Sequence, residues 1–304
     1  MIHKGHREET RLLMGTIVSI DIVGENQNKL EEAMSSAFEA MGMVEAICNR
    51  FDEHSALRAL CRRPGEWVRV PDVLFEALRV ARELSELTDG AFDPTVGAKL
   101  ACFGFTRHYV TGEMVATPDT DPTATFQDIS LDETTRQVYL QKPMLLDLGA
   151  VAKGLAIDLA AGVLQGWDGF AINAGGDVYV HGEDPLGEPW TIGIQHPDAK
   201  DKRIAWLRAT DIAVCTSGTY ERRSPVDPAV HHLLATDRNT GEGGLVSCTV
   251  IAPLAVLADA VSTAAFVLGE HRALDFIEDA ELAGLCINDQ LQMQMNDAMR
   301  RYVL

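Results

Sequence analysis

The sequence predicts a mixed α+β fold with a largely antiparallel sheet and flanking helices. Segments that alternate apolar and polar side chains, as half-buried strands do, outnumber the helices that could connect parallel strands. Turn residues join two pairs of these strands as hairpins. No linker, fixed-period repeat or low-complexity tract divides the 304 residues. We therefore expect a single compact domain, residues 1–304, made of two lobes with a ligand cleft between them.

The first half of the chain is predicted to contain two strands and two helices. Residues 16–23 alternate apolar and polar side chains and form the first strand. Residues 28–48 carry apolar side chains on one stripe at helical spacing. A second helix begins at Pro71, which suits a first helical turn, and ends at about Thr88. Residues 137–140 then form a short strand.

The second half is predicted to alternate short strands with three helices. Residues 145–148 end a strand, and a helix rich in alanine and leucine follows over residues 150–164. Two further helices cover residues 253–268 and 271–277. The remaining strands are expected at residues 170–172, 178–180, 190–194, 204–207, 246–252, 285–287 and 291–295. The first two and the last two of these form the hairpins.

The composition is that of a globular protein with a strong acidic balance. Hydrophobic residues make up 46% and charged residues 23% of the chain, and the net charge is −19. This charge argues against nucleic-acid binding and suits a locally bound cation, although solubility alone also explains it. There is no apolar signal region and no stretch of the ~20 apolar residues of a membrane helix, so we expect no membrane insertion and a cytoplasmic location. The six cysteines are scattered and most lie in apolar runs, so buried free thiols are the expected state.

Three runs combine an acidic side chain with small residues at predicted element boundaries. They are T-D-G-A-F-D-P at residues 88–94, D-L-G-A-V-A-K-G at residues 147–154 and N-A-G-G-D at residues 173–177. Glycine lets the backbone approach a ligand closely, and a carboxylate supplies oxygens to a sugar hydroxyl or a hard cation. In the second run a helix begins and offers N–H groups to an anion, with Lys153 adding positive charge. An ordinary helix start with a solvated lysine is the alternative.

The segment A-D-A-V-S-T-A-A at residues 258–265 is the candidate metal site. In a helix, Asp259 and Thr263 lie one turn apart on the same face, with Ser262 beside them. Oxygen ligands of this kind suit Mg²⁺ or Ca²⁺ and not Zn²⁺. Local hydrogen bonds to the backbone would explain the same side chains without a metal.

Two further runs, T-S-G-T-Y at residues 216–220 and H-H-L-L at residues 231–234, complete the set of motifs. A histidine can act as a general base near neutral pH, and a structural histidine is the alternative. The sequence has no zinc-type spacing of cysteine and histidine and no G-x-S-x-G nucleophile elbow.

Together with M-G-T at residues 14–16, these runs resemble the ApbE-like flavin transferases, from Met14 to about Gly269. The resemblance implies an ApbE-like fold and an enzyme that uses FAD as its substrate. It implies transfer of FMN from FAD to a threonine or serine hydroxyl of an acceptor flavoprotein, with release of AMP. The implied metal is Mg²⁺, with Mn²⁺ or Ca²⁺ as alternatives. Two other functions stay open, namely hydrolysis of FAD to FMN and AMP, and FAD binding without catalysis.

The resemblance also assigns roles to single residues. His232 becomes the candidate base that deprotonates the acceptor hydroxyl. The contacts to the flavin nucleotide fall on Met14, Phe51, Ala91, Phe92, Asp93, Asp147, Lys153 and Leu234. The metal ligands fall on Asp259, Thr263, Ser262 and the main-chain carbonyl of Ala150. No ligand contact is assigned to residues 173–177. The chain departs from the family at Ser262, where some relatives carry Asp, and at residues 235–236, where the Asp-Pro pair of the family is absent.

Overall fold

The computed structural model describes residues 5–108, 112–220, 223–227, 230–231, 233 and 244–304. Within these ranges the chain contains both helices and strands, and every pairing of neighbouring strands is antiparallel. The α+β fold that the sequence predicts is therefore confirmed.

Thirteen strands and seven α-helices make up the regular structure of the described residues. The strands are β1 (His6–Leu13), β2 (Thr16–Val23), β3 (Trp67–Arg69), β4 (Ile129–Asp132), β5 (Gln137–Leu140), β6 (Gly169–Ala174), β7 (Asp177–Gly182), β8 (Trp190–His196), β9 (Ala199–Ala209), β10 (Ile212–Gly218), β11 (Leu245–Ala252), β12 (Ala283–Asn288) and β13 (Met293–Met295). The helices are α1 (Gln27–Cys48), α2 (Ala56–Cys61), α3 (Asp72–Leu87), α4 (Gly97–Cys102), α5 (Gly149–Val163), α6 (Ala255–Leu268) and α7 (Glu270–Asp279). In this part of the chain, no helix is both long and apolar enough to cross a membrane.

Eight strands form the large sheet, in the order β1-β2-β6-β7-β10-β11-β12-β13. A second sheet has the order β3-β5-β4, and β8 and β9 pair as a long hairpin. Both hairpins predicted from the sequence are present, as β6–β7 and β12–β13. Gly175 and Gly176 turn the chain between β6 and β7 with φ of 66° and 102°, which glycine adopts without strain.

Helices α1, α5 and α6 pack on one face of the large sheet, and α3 packs against α5 and α6. In β2 the alternate residues Val18, Ile20 and Ile22 are buried in this core, as the two-residue period of a strand requires. The apolar stripe of α1 is buried in the same core, for example at Met34 and Met41. The β8–β9 hairpin and the C-terminal turn cover part of the opposite face of the sheet.

Helices α5 and α6 cross at very short distance, and Gly154 makes this possible. A Cβ atom at Gly154 would lie 2.4 Å from the carbonyl oxygen of Ala255 and 2.5 Å from the Cα of Val256. Asp158, one turn further along α5, accepts hydrogen bonds from the N–H groups of Ala255 and Val256 at 2.7 and 2.9 Å. Leu254, at the N-cap of α6, provides no side-chain cap. Asp158 therefore caps α6 from the neighbouring helix and fixes its position.

The structure differs from the sequence expectation in two ways. The strand expected at residues 145–148 is wrong, because this segment has no regular secondary structure, and the N–H of Asp147 donates to the carbonyl of Pro94 at 2.8 Å. The elements β1, α2, β3, α4, β4 and β10 were not expected. β1 is an edge strand rich in charged side chains, and α2, β3, α4 and β4 span only three to six residues, too few to show a periodic pattern. β10 lies inside the large sheet and is buried along most of its length, so its sequence lacks the alternation of a half-buried strand.

Candidate active site

A cleft of about 350 Å³ lies where the start of α5, the β1–β2 turn, the β6–β7 turn and α6 converge. The residues singled out from the sequence that line it are Met14, Phe51, Phe92, Asp93, Asp147, Ala150, Lys153, Asp259 and Thr263. Ala91 and Ser262 are not part of its wall. His232 and Leu234 lie outside the described residues. The three runs that combine an acidic side chain with small residues thus all contribute residues to this cleft, as does α6.

The polar side chains of α6 meet the end of β10 at the base of this cleft. Asp259 and Thr263 lie one turn apart on the buried face of α6. The Ser217 hydroxyl of β10 lies 2.8 Å from the Thr263 hydroxyl and 2.9 Å from that of Ser262. The Ser262 hydroxyl also donates to the main-chain carbonyl of Asp259 at 3.0 Å. Thr263 therefore lines the cleft, whereas Ser262 is held behind it.

Lys153 connects α5 to two acidic side chains. Its Nζ lies 2.9 Å from Oδ2 of Asp177 and 3.0 and 3.1 Å from the two carboxylate oxygens of Asp259. Burial alone would lower the pKa of Lys153, but the charges of Asp177 and Asp259 outweigh burial and raise that pKa. Burial raises the pKa of Asp259, although Lys153 acts in the opposite direction. One ammonium faces two carboxylates, so the ionised cluster has an excess of negative charge.

Asp147 precedes α5 and is held by Arg50. The Nε of Arg50 forms an ion pair with Oδ2 of Asp147, whose other oxygen accepts the N–H of Gly149 at 2.8 Å. Arg50 also donates to the carbonyl of Phe105 at 3.0 Å and lies over the Phe51 ring, 4.0 Å from its centroid. Only 8% of the Arg50 side chain is exposed. Arg50 thus fixes both Asp147 and Phe51 on the wall of the cleft.

The loop that follows α3 is a tight turn whose acidic residue binds the backbone. Asp93 is buried, and its two carboxylate oxygens accept the N–H of Thr95 at 2.8 Å and that of Phe126 at 3.0 Å. Burial raises the pKa of this carboxyl. The Thr88 hydroxyl accepts the N–H of Phe92 at 3.1 Å. Asp93 therefore shapes the loop through main-chain contacts, and Phe92 reaches the cleft from the core.

Met14 occupies the β1–β2 turn in a left-handed backbone conformation, with φ of 54°. Its N–H donates to the Glu45 carboxylate of α1 at 2.8 Å. Burial raises the pKa of Glu45. Both residues line the cleft, so Glu45 holds this turn in place against α1.

Of the motif at residues 231–234, the structure describes His231 and Leu233. The His231 ring meets the Phe266 ring of α6 edge-on, with 5.5 Å between the ring centroids. Burial lowers the pKa of His231. Leu233 lines the cleft, so these two residues lie beside α6 and the site.

Four polar residues whose contacts shape the site had no role assigned from the sequence, namely Glu45, Arg50, Asp177 and Ser217. Asp177 and Ser217 lie within runs that the sequence analysis singled out, and Arg50 adjoins Phe51. The signal for these three was therefore their position next to a motif. No local sequence pattern points to Glu45, because the main-chain N–H that it binds belongs to Met14, 31 residues away.

The donor atoms at the base of the cleft suit a hard divalent cation. No three His, Cys, Asp or Glu side chains of the described residues are grouped to hold a metal. A cation bound here would need hydroxyl and carbonyl oxygens beside the Asp259 carboxylate, and Thr263 and Ala150 line the same cleft. Mixed oxygen donors are typical of Mg²⁺ and Ca²⁺ sites. The residues present fit such an ion.

The sequence of the chain resembles one family of proteins. A sequence model of the ApbE family matches residues 14–286. A FAD:protein FMN transferase of Klebsiella pneumoniae (strain 342) is 35% identical over 230 residues, which cover 70% of this chain and 68% of that relative. A FAD:protein FMN transferase of Escherichia coli (strain K12) is 27% identical over 299 residues, covering 92% of this chain and 84% of the relative.

Solved structures show the same likeness in three dimensions. The crystal structure of the ApbE protein from Thermotoga maritima MSB8 matches with a TM-score of 0.86 at 29% identity, over 98% of this chain and 99% of that one. The apo form of the flavinyl transferase ApbE from Pseudomonas stutzeri has a TM-score of 0.82 at 23% identity, over 100% and 99% of the two chains. The second match concerns the fold alone.

Proposed function

This chain belongs to the ApbE family, and from that membership we infer that it is a FAD:protein FMN transferase. Relatives with this name match most of its length. The observation that carries the inference within the chain is the cleft in which Lys153, Asp259 and Thr263 meet the start of α5. FAD is the substrate, and an acceptor protein receives FMN.

The reaction is a phosphoryl transfer across the pyrophosphate of FAD. The oxygen of a threonine or serine hydroxyl on the acceptor attacks the phosphorus of the FMN half. The bond between that phosphorus and the bridging oxygen breaks, AMP leaves with the bridging oxygen, and the hydroxyl proton passes to a base. The protein has to hold both reactants in line and to balance the negative charge of the phosphates.

We propose that the pyrophosphate of FAD lies beside Lys153 and the start of α5. A lysine ammonium and the N-terminal end of a helix both favour phosphate. Phe51 and Phe92 offer ring surfaces on which flavin or adenine can stack. The placement of these three side chains around one cleft supports this arrangement.

The remaining nucleotide contacts belong to the loops at the rim of the cleft. Asp147, oriented by Arg50, can accept hydrogen bonds from the flavin nucleotide. Met14 and Asp93 would contact the nucleotide through backbone and apolar atoms, and Ala91, in the same turn as Asp93 but outside the cleft wall, would support this turn. The Asp93 carboxylate itself is committed to main-chain N–H groups.

We further propose that Asp259, Thr263 and the main-chain carbonyl of Ala150 hold a divalent cation. Mg²⁺ is the first candidate, and Mn²⁺ and Ca²⁺ are the alternatives. The bound cation would supply positive charge to the phosphates. Ser262 would support Thr263 through Ser217 instead of binding the cation, since its hydroxyl contacts Ser217 and the Asp259 carbonyl.

Further expectations from the sequence stay predictions, among them the contact of Leu234 with the flavin nucleotide. His232 is the proposed base for the acceptor hydroxyl, and His232→Gln should slow transfer while FAD binding is retained. The cytoplasmic location would be tested by fractionation of cells that produce the protein.

The test is incubation of the protein with FAD, Mg²⁺ and a threonine-containing acceptor protein from the same source. We expect the intact mass of the acceptor to rise by one FMN moiety, and Asp259→Ala or EDTA to abolish the increase. Full activity of Asp259→Ala would overturn the metal assignment. FMN and AMP formed without any acceptor would indicate a FAD pyrophosphatase, and FAD retained without products under every divalent metal would indicate a flavin-binding protein.

A further inference from the structure

We propose that Asp177 is a positioning residue for Lys153. It keeps the lysine ammonium in place while a divalent cation binds the Asp259 carboxylate. The inference rests on the proposed function, because it concerns the cation in the FAD cleft. In this role Asp177 acts through Lys153 and binds neither the cation nor FAD.

The Asp177 carboxylate is fixed at both of its oxygens. Oδ1 accepts the N–H of Thr216 at 3.0 Å, and Oδ2 lies 2.9 Å from the Nζ of Lys153. Only 5% of the Asp177 side chain is exposed. Thr216 belongs to β10, which neighbours β7 in the large sheet. A buried carboxylate anchored to the sheet gives the ammonium a defined position.

Asp259 uses both of its oxygens on groups of α5. Lys153 contacts Oδ1 and Oδ2 at 3.0 and 3.1 Å, and the N–H of Gly154 donates to Oδ2 at 3.0 Å. With 3% of the Asp259 side chain exposed, water screens this cluster poorly. A divalent cation that approaches Asp259 meets the like charge of Lys153. The ammonium must therefore leave at least part of its contact with Asp259 before this carboxylate can bind the cation.

Asp177 provides a partner that Lys153 keeps during that exchange. Among the described residues, Asp177 and Asp259 are the carboxylates within ion-pair distance of Lys153. The Lys153 side chain is the most exposed of the three, at 27%, and its four-carbon chain is flexible. Held by Asp177 alone, the ammonium stays in the cleft without occupying Asp259. Without Asp177, Lys153 has Asp259 as its remaining partner and competes with the cation.

Two other roles for Asp177 lead to different expectations. A direct ligand, or a general source of negative potential, would strengthen cation binding whether or not Lys153 is present. A positioning residue matters only while the ammonium is there. The difference between these roles is a coupling between the two side chains.

A double-mutant cycle on Mn²⁺ binding tests the proposal, with free Mn²⁺ measured by electron paramagnetic resonance on the full chain without flavin. Asp177→Asn keeps a carbonyl oxygen for the Thr216 N–H but removes the charge, and Lys153→Met removes the ammonium. We expect Asp177→Asn alone to weaken Mn²⁺ binding about tenfold, and to change it by less than about twofold in the Lys153→Met background. Lys153→Gln serves as a second background should Lys153→Met fail to fold, and thermal melting identifies the folded variants.

The matched charge control is Asp211→Asn. Asp211 accepts the N–H of Gly182, at the opposite end of β7 from Asp177, and its loss should leave Mn²⁺ binding within about twofold. The proposal would be overturned if Asp177→Asn weakened Mn²⁺ binding equally in both backgrounds, or in neither. It would also be overturned if the unsubstituted protein bound no Mn²⁺. FMN transfer to an acceptor is measured separately, so a failed cycle with intact transfer leaves the proposed function standing.

Discussion

Arg50 links two parts of the cleft wall, through its ion pair with Asp147 and its position over the Phe51 ring. Arg50→Met removes both contacts and leaves the largely buried Asp147 carboxylate without its counter-charge. We expect the free energy of unfolding to fall by about 2 kcal/mol and the dissociation constant of FAD to rise about tenfold. Urea denaturation and a fluorescence titration with FAD measure the two effects.

Arg82→Met is the matched control for this substitution. Arg82 pairs with Glu86 on the exposed side of α3, and exposed pairs of this kind contribute little, so the unfolding free energy should change by less than about 0.5 kcal/mol. An effect of Arg50→Met as small as that of Arg82→Met would show that Arg50 does not hold the cleft wall.

His231 predicts a loss of stability on acidification, because burial lowers the pKa of its ring in the folded protein. The unfolded chain takes up this proton near pH ~6.5, and the folded protein does so only at lower pH. The stability that neutral His231 contributes is therefore complete above pH ~6.5 and is lost as the pH falls towards the folded pKa.

The pH dependence of urea denaturation measures this contribution. Between about pH 7.5 and about pH 5.5, His231→Gln should reduce the fall in unfolding free energy by at most about 1.4 kcal/mol. An identical pH dependence in the two proteins would contradict the burial of this ring.

At the residue scale the sequence predicts which side chains matter better than it predicts their partners. Helical spacing placed Asp259 and Thr263 on one face, and the structure has them there. The ion pair between Lys153 and Asp259 joins residues 106 apart, which no local pattern reveals. Asp93 shows the same limit, since its oxygens bind main-chain groups that include one 33 residues away.

The contact between α5 and α6 depends on the missing side chain of Gly154. In Gly154→Ala the new methyl group would meet Ala255 and Val256 backbone atoms, so the helices must separate. Separation also breaks the hydrogen bond from the Gly154 N–H to Asp259. We expect a loss of about 2–3 kcal/mol in unfolding free energy, together with weaker FAD binding.

Gly162 of the same helix provides the control, because a Cβ there would have no atom within 4 Å. Gly162→Ala should leave FAD binding unchanged and raise the unfolding free energy by about 0.5–1 kcal/mol, since alanine is the better helix former. Equal effects of the two substitutions would contradict the close crossing of α5 and α6.

At the element scale the long helices and most core strands were predictable because their apolar patterns extend over many residues, whereas the central strand β10 was missed because it is buried on both faces and shows no alternation. The strand expected at residues 145–148 failed for a physical reason. Leu145, Leu146 and Leu148 are buried in the core without belonging to a sheet. A short apolar run in the sequence does not distinguish such a segment from a buried strand. The edge strand β1 was not predicted because it carries charged residues at successive positions, so apolar and polar side chains do not alternate along it.

The packing of the whole molecule predicts how its six cysteines react. Cys102 is exposed and the other five are buried. Burial also raises the pKa of Cys48 to about 12 and that of Cys61 to about 11, which keeps these thiols protonated and unreactive.

A thiol reagent at neutral pH should therefore modify one cysteine rapidly in the native protein and all six after denaturation. Cys102→Ser should remove the rapid phase. Two or more rapid thiols in the native protein would contradict the packing described for the core.

At the scale of the molecule the α+β class follows from the ratio of strands to helices, which the sequence displays directly. The order of the eight strands in the large sheet does not, because it depends on pairings between strands far apart in the chain. The organisation of residues 1–304 as one domain stays a prediction, and a single cooperative unfolding transition would support it.

We propose that FMN passes from FAD to a protein hydroxyl and not to water. The most direct test of this transfer quantifies AMP by chromatography and flavinylated acceptor by intact mass in the same reaction. We expect equal amounts of AMP and flavinylated acceptor, and neither product when the acceptor is left out. AMP in excess, matched by free FMN, would contradict transfer and identify the reaction as hydrolysis.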